Sequence, residues 1–207
     1  METGVAKKRG FIVPIGGAEE KISDPTILRK FADVAGGRDA RIVVIPTASQ
    51  LEVTGRRYEK IFEDFRVKSV RSLRFETRAD AEREEWLDHI WEATGVFMTG
   101  GNQLRLSTIL GGTPLTDLLR QRNAEGLHIA GTSAGAAFVA EHMIASGDSG
   151  RSPRADMVQL SPGLGLTNRI LVDQHFRQRC SNVIERPVSA EQHALAAGAA
   201  NHGVQIS

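Results

Sequence analysis

The chain carries one cysteine, one tyrosine and two tryptophans in 207 residues, and aromatic side chains make up only 5% of it. With Cys180 alone no internal disulfide forms, so disulfide-stapled secreted scaffolds are excluded and a reducing compartment fits. The six histidines are scattered along the chain and have no second cysteine to join, so neither a metal site nor a cofactor is expected. There is no charge of one sign either. Lys and Arg number 26 against 25 Asp and Glu, a net charge of +1, which lacks the large positive field that nucleic acids and membrane surfaces select. No apolar run approaches the roughly 20 residues of a membrane span, and the basic stretch 1–9 lacks the apolar core of a signal peptide. The expectation is a cytoplasmic protein with no nucleic-acid and no membrane partner.

What remains is an ordinary globular composition, 41% hydrophobic and 25% charged, in a chain long enough to bury one sizeable core. Short β-branched runs alternate with stretches of helical period, the pattern of a parallel sheet with crossover helices and hence of an α/β fold. The strand-like runs are Phe11–Ile15, Ile42–Ile45, Val67–Leu73, Gly95–Thr99 and Leu127–Ala130. Between them Ile27, Leu28, Phe31 and Val34 fall on one helical face closed by Gly36-Gly37. Tyr58, Ile61, Phe62 and Phe65 repeat at helical spacing, as do Trp86, Leu87, Ile90 and Trp91, which makes these aromatics core rather than ligand-binding groups. A further helix carries Leu104, Leu106 and Leu110. The chain divides into a basic tail over 1–9, one α/β domain over 10–179, and an atypical C-terminal tail over 180–207 with an alanine-rich helical stretch and no strand signal.

Glycine is abundant, at 21 residues, and its placement is informative. Gly131-Thr132-Ser133-Ala134-Gly135 follows the last apolar run and precedes the helix-forming Ala136–Ala140. That is the pattern of a nucleophile elbow, in which a strand turns sharply into a helix and leaves a serine hydroxyl above the sheet. A serine nucleophile needs a general base and donors for the oxyanion it creates. Of the histidines, His128 lies within a strand, His89 on an amphipathic helix, His142 in the helix beyond the elbow, and His193 and His202 in the tail. His175 is the best base, because it follows Ile170-Leu171-Val172 at what reads as another strand's carboxyl end. The amide of Ala134 and one from the Gly100-Gly101 turn supply the oxyanion donors, with Gly16-Gly17 as a second such turn.

These segments resemble the cyanophycinases, serine exopeptidases related to aspartyl dipeptidase, whose flavodoxin-like sheet is akin to that of class I glutamine amidotransferases. The likeness rests on Pro14-Ile15-Gly16-Gly17-Ala18-Glu19, Ile45-Pro46-Thr47-Ala48-Ser49, Phe97–Gln103, Gly131–Ala136, Pro162–Leu166 and Val172–Phe176, in that order. It implies a flavodoxin-like three-layer sandwich and hydrolysis of cyanophycin, a poly-aspartate backbone with arginine on its side-chain carboxylates, to β-Asp-Arg dipeptides. Ser133 is then the nucleophile and His175 its base, Gly101 and Ala134 hold the oxyanion, and Gln103, Asp173, Gln174 and Arg179 line the substrate pocket. Two departures stand out. Arg151 occupies the position aligned with the family's orienting glutamate, leaving Asp148 as the substitute acid, with Glu141 and Asp156 behind it. After Arg179 the sequence departs from the family pattern, for which self-association as a homodimer is the expected compensation. A homologue that binds Asp- or Arg-containing peptides without turnover, and a dipeptidase or esterase on the same scaffold, stay open as alternatives.

Overall fold

A computed structural model describes residues 8–17, 19, 21, 25–147, 158–173 and 205–206. Strands β1 (Ile12–Ile15), β2 (Arg41–Ile45), β3 (Ser69–Ser72), β4 (Gly95–Met98) and β5 (His128–Thr132) form one sheet in the order β1-β5-β4-β2-β3. Every pairing within it is parallel. Read from the β3 side, the layout is the flavodoxin order 2-1-3-4-5, with the fifth place taken by the first strand of the chain. Pro14 in β1 has no N–H to give to a second neighbour, and among the described residues β1 is an edge strand, where proline is tolerated.

Alternation along the strands assigns the two faces. Ile42, Val44, Phe97 and Ala130 point to one side, where α1 (Thr26–Val34) and α2 (Val53–Asp64) cover them. Phe97 is central to that layer, with ring centroids 4.8, 5.6 and 5.9 Å from Tyr58, Phe62 and Phe31. Val43, Ile45, Val96, Met98 and Ile129 point to the other side, onto α3 (Glu84–Glu92), α4 (Gln103–Leu110), α5 (Pro114–Ala124) and α6 (Ala134–Phe138). Each large side chain sealed in this way contributes about 1.5–3 kcal/mol. The result is the expected α/β three-layer sandwich.

Four local features depart from the expectation, the first being Trp91, which is 51% exposed beneath the Arg122 guanidinium rather than in the core. Helix α5 is present where none is anticipated, although Thr113-Pro114 followed by Leu115, Leu118 and Leu119 carries the signal: proline at the first turn and leucines at helical spacing. His142 does not lie in the elbow helix. That helix ends at Phe138 because Ala140 bridges Thr167, and Glu141 N donates to Thr167 O at 2.8 Å, so tertiary pairing overrides the helix propensity of alanine. His142 instead opens β6 (His142–Gly147), antiparallel to β7 (Val158–Pro162). The strand expected over Ile170–Val172 is β8 (Val172–Asp173), and it pairs with β9 (Gln205–Ile206) in the tail, where no strand is expected.

Candidate active site

The β5–α6 connection is a nucleophile elbow. Ser133 sits between strand and helix with φ 50° and ψ −111°, a region sparsely populated by residues that carry a Cβ. Holding it there costs about 1–3 kcal/mol, so the surroundings must impose it. They do so by steric fit. A Cβ on Gly131 would lie 2.3 Å from the carbonyl carbon of Gly135, and one on Gly135 would lie 2.4 Å from Met98 O in β4. Both glycines of the pentapeptide therefore permit backbone contacts that close the turn. Ser133 N donates to Ile15 O at 3.0 Å and Ser133 O accepts from Ala137 N at 3.0 Å, which pins the serine to β1 and to its own helix. From Ile129 to Ala140 every residue is buried except Ser133, which is partly exposed.

The turns following the two strands that flank β5 close on this serine. A Cβ on Gly17, after β1, would stand 3.4 Å from Ser133 Cβ, and one on Gly100, after β4, would stand 3.2 Å from it. On these two sides Ser133 is thus faced by glycine backbone rather than by side chains. Gly101 adopts φ +143°, and a Cβ there would meet Ala48 O at 2.1 Å, so the loop after β2 presses the Gly100-Gly101 turn into place. Asn102 N donates to Ala48 O at 2.8 Å, and Asn102 Oδ1 accepts from Leu104 N at 2.9 Å to cap α4. A partly exposed serine among backbone amides at the carboxyl end of a parallel sheet is suited to nucleophilic attack on a carbonyl.

Of the residues picked out from the sequence, Ser133 and Ala134 form the elbow, and Gly101 follows Gly100 in the turn that faces Ser133. Gln103 starts α4 one turn away, and its Nε2 donates to Ile144 O at 3.1 Å and Ala145 O at 3.2 Å, so its amide joins α4 to β6. Asp173 ends β8, whose Val172 packs on Ala136 of the elbow helix. His175, Gln174, Arg179, Asp148, Arg151 and Asp156 lie outside the described residues, as do His193 and His202. The three described histidines are engaged elsewhere. His128 begins β5, about 16 Å along the strand from Ser133; its Nδ1 accepts from Phe11 N at 3.1 Å, and burial holds its pKa below 6.5. His89 meets Arg71 at 2.8 Å on α3, and His142 borders a cavity shared with Arg9 and Ile12 at the amino end of the sheet. Glu141 lines that same cavity, at the opposite end of the sheet from Ser133. Among the described residues no group of His, Cys, Asp and Glu is arranged to hold a metal, and no helix is long and apolar enough to cross a membrane.

With the elbow established, comparison with known proteins places the chain. The model of peptidase family S51 matches residues 12–205. The chain belongs to peptidase family S51. The match reaches well into the tail, past Arg179. This S51 chain is 48% identical over 184 residues to a cyanophycinase of Synechococcus elongatus, covering 88% of the chain and 56% of that protein. It is 43% identical to a cyanophycinase of Trichormus variabilis, covering 92% of the chain and 63% of that protein. For a cyanophycinase of Geminocystis herdmanii the identity is 42%, with 88% and 67% covered. The chain thus spans little more than half the length of the first of these relatives. In fold it is similar to a peptidase from an acI-B1 Actinobacterium, with a TM-score of 0.61 at 20% identity, covering 78% of the chain and 66% of that structure.

One group beside the S51 elbow is not evident as functional from the sequence. Glu19 appears there only as the end of a motif, yet it is 5% exposed and accepts hydrogen bonds from the hydroxyls of Tyr58 and Thr132, with Lys21 Nζ at 2.9 Å. The sequence signal that could have found it is the acidic residue two positions after Gly16-Gly17, just past the carboxyl end of β1.

Proposed function

We propose that this S51 chain is a serine-type exopeptidase that hydrolyses cyanophycin to β-Asp-Arg dipeptides through an acyl-enzyme on Ser133. The observation that carries the reading is Ser133 itself, held at φ 50° between the Gly17 and Gly100 turns in a chain 42–48% identical to cyanophycinases. Ser133 Oγ attacks the scissile carbonyl while His175 takes its proton. The amides of Gly101 and Ala134 receive the negative charge that develops on the carbonyl oxygen. The intermediate then collapses, His175 returns the proton to the leaving amine, and water repeats the cycle on the ester. Support for His175 comes from the strand that precedes it in sequence, since β8 packs on the helix that follows Ser133, and from His128 and His89 being committed elsewhere. Asp148 is the proposed orienting acid.

Recognition follows from the substrate's charges. Each unit offers carboxylate and guanidinium groups, so the pocket needs both a cation and an anion, roles given to Arg179 and Asp173. Gln174 and Gln103 complete the lining. Because both Nε2 protons of Gln103 are directed to β6 carbonyls, its Oε1 is the atom that receives a donor from the substrate. The setting is cytoplasmic, with the polymer as partner and a homodimer as the assembly.

The test is incubation of purified protein with cyanophycin. Release of β-Asp-Arg that disappears in Ser133→Ala supports the reading, and no release from folded protein overturns it. Peptide binding measured by calorimetry, with neither turnover nor labelling of Ser133 by a fluorophosphonate, selects the binding homologue instead. Faster turnover of a free Asp-X dipeptide or a simple ester than of the polymer selects the dipeptidase or esterase.

A further inference from the structure

The single tyrosine of the chain lies buried in the core and donates to a buried carboxylate. Removing a carboxylate from water costs several kcal/mol unless it is paired and hydrogen-bonded, and Glu19 is satisfied from three separate elements. Tyr58 reaches it from α2, Thr132 Oγ1 from the end of β5, and Lys21 Nζ from the segment after β1. Burial, reinforced by the charge of Glu19, raises the Tyr58 phenol far above its ordinary range, so it remains a donor at any working pH. Thr132 is the residue before Ser133. Its hydroxyl faces Glu19, while its carbonyl oxygen faces Gly100, where a Cβ would stand 3.6 Å away. The same carboxylate therefore ties the segment that carries Gly16 and Gly17 to the peptide from which the strained turn departs.

We propose that Glu19 is a positioning residue for Ser133: by holding the Thr132 hydroxyl it fixes the Thr132–Ser133 peptide, and with it the direction of Ser133 Oγ and of the Ala134 amide. It touches no reacting atom and acts through Thr132. The inference rests on the reading of Ser133 as nucleophile. The charge is central to it, since a carboxylate accepts from Tyr58 and Thr132 while pairing with Lys21, whereas a neutral amide has one acceptor oxygen to share.

The experiment compares Glu19→Gln, Thr132→Val and Tyr58→Phe in the full chain, with Ser133→Ala as blank. Two quantities are read per folded molecule: the rate constant for phosphonylation of Ser133 by a fluorophosphonate, and backbone hydrogen exchange in the peptide covering 127–138. Glu19→Gln and Thr132→Val should each slow labelling by about 10-fold or more and speed exchange, because small misplacements of a nucleophile are costly. Their double variant should be no slower than the worse single one, since both break the same link. Tyr58→Phe, which loosens the carboxylate on its far side, should lower the melting temperature yet leave labelling within about 2-fold. Unchanged labelling in Glu19→Gln or Thr132→Val, additive losses in the double variant, or equal slowing by Tyr58→Phe overturns the proposal. If Glu19→Gln fails to fold, the contrast between Thr132→Val and Tyr58→Phe decides. If the wild type itself is not labelled at Ser133, the nucleophile reading fails, and the exchange measurement decides the role of Glu19 by itself: equal exchange in all variants overturns it.

Discussion

Replacing Ser133 by glycine should stabilise the protein relative to replacing it by alanine, although both changes remove the hydroxyl proposed as nucleophile. Alanine keeps the Cβ and therefore the strain of φ 50°, ψ −111°, whereas glycine adopts such angles without penalty. The strain released is about 1–3 kcal/mol. Against it stand about 0.4–1 kcal/mol for the greater freedom of glycine in the unfolded chain. The Cβ contacts to the Gly17 and Gly100 turns would also be lost; Ser133 is partly exposed, so this is a fraction of the ~0.8 kcal/mol of a fully buried methylene. Near the middle of these ranges Ser133→Gly is more stable than Ser133→Ala by about 1 kcal/mol, which for a domain of this size is a rise of about 2–4 °C in melting temperature. Urea unfolding gives the difference directly as a shift in midpoint at unchanged slope. A Ser133→Gly variant no more stable than Ser133→Ala would refute the claim that the elbow stores strain. The expected sign also describes a trade of stability for a positioned hydroxyl.

Other changes probe the same framework. Gly135→Ala drives a methyl to 2.4 Å from Met98 O; it should cost about 1–3 kcal/mol by overpacking and abolish fluorophosphonate labelling of Ser133 in the protein that still folds. Arg66, exposed at φ 60° just past the end of α2, occupies a place where glycine is favoured, so Arg66→Gly should raise the urea midpoint by the equivalent of about 0.5–1 kcal/mol. His128 has a folded pKa below 6.5 because of burial, so the unfolded chain takes up its proton first as the pH falls. The stability from its neutral form is complete above that value and is lost on acidification through the window beneath it; urea midpoints between about pH 7.5 and 5.5 should fall more steeply for the wild type than for His128→Gln. Tyr58 has the opposite dependence: its pKa is raised, so its contribution is complete below the ordinary phenol value and is lost as the pH rises above about 10. Tyr58→Phe should flatten that alkaline loss.

The parallel strands and most of the helices are legible in the sequence because their signals are local. Ile42–Ile45 and Gly95–Met98 read as strands buried on both faces since continuous apolar runs suit nothing else there, and the apolar faces of α1, α2 and α3 repeat at helical spacing. Helix α5 was equally legible in principle, from Pro114 and its leucines. The β6–β7 hairpin was not: the chain leaves α6 after Phe138 because Thr167, far along the sequence, offers a backbone partner to Ala140 and Glu141. A helix propensity computed from neighbours has no access to such a contact. The same holds for β9 and its pairing with β8.

At the site, the pentapeptide alone identified Ser133 and the turn chemistry around it, because only small residues survive where a strand doubles back into a helix. The Gly100-Gly101 and Gly16-Gly17 turns were also legible as glycine turns; what the tertiary structure alone decided is how closely both approach that serine. Parallel strand order sets Gly17 and Gly100 on either side of β5 although they lie 116 and 33 residues from Ser133 in the sequence. It also brings Tyr58, Thr132 and Lys21 from three separate segments to the one buried charge of Glu19. The physical reason is that a strained turn can be written in five residues, but the forces that hold it there are short-ranged, and only folding brings their sources within range.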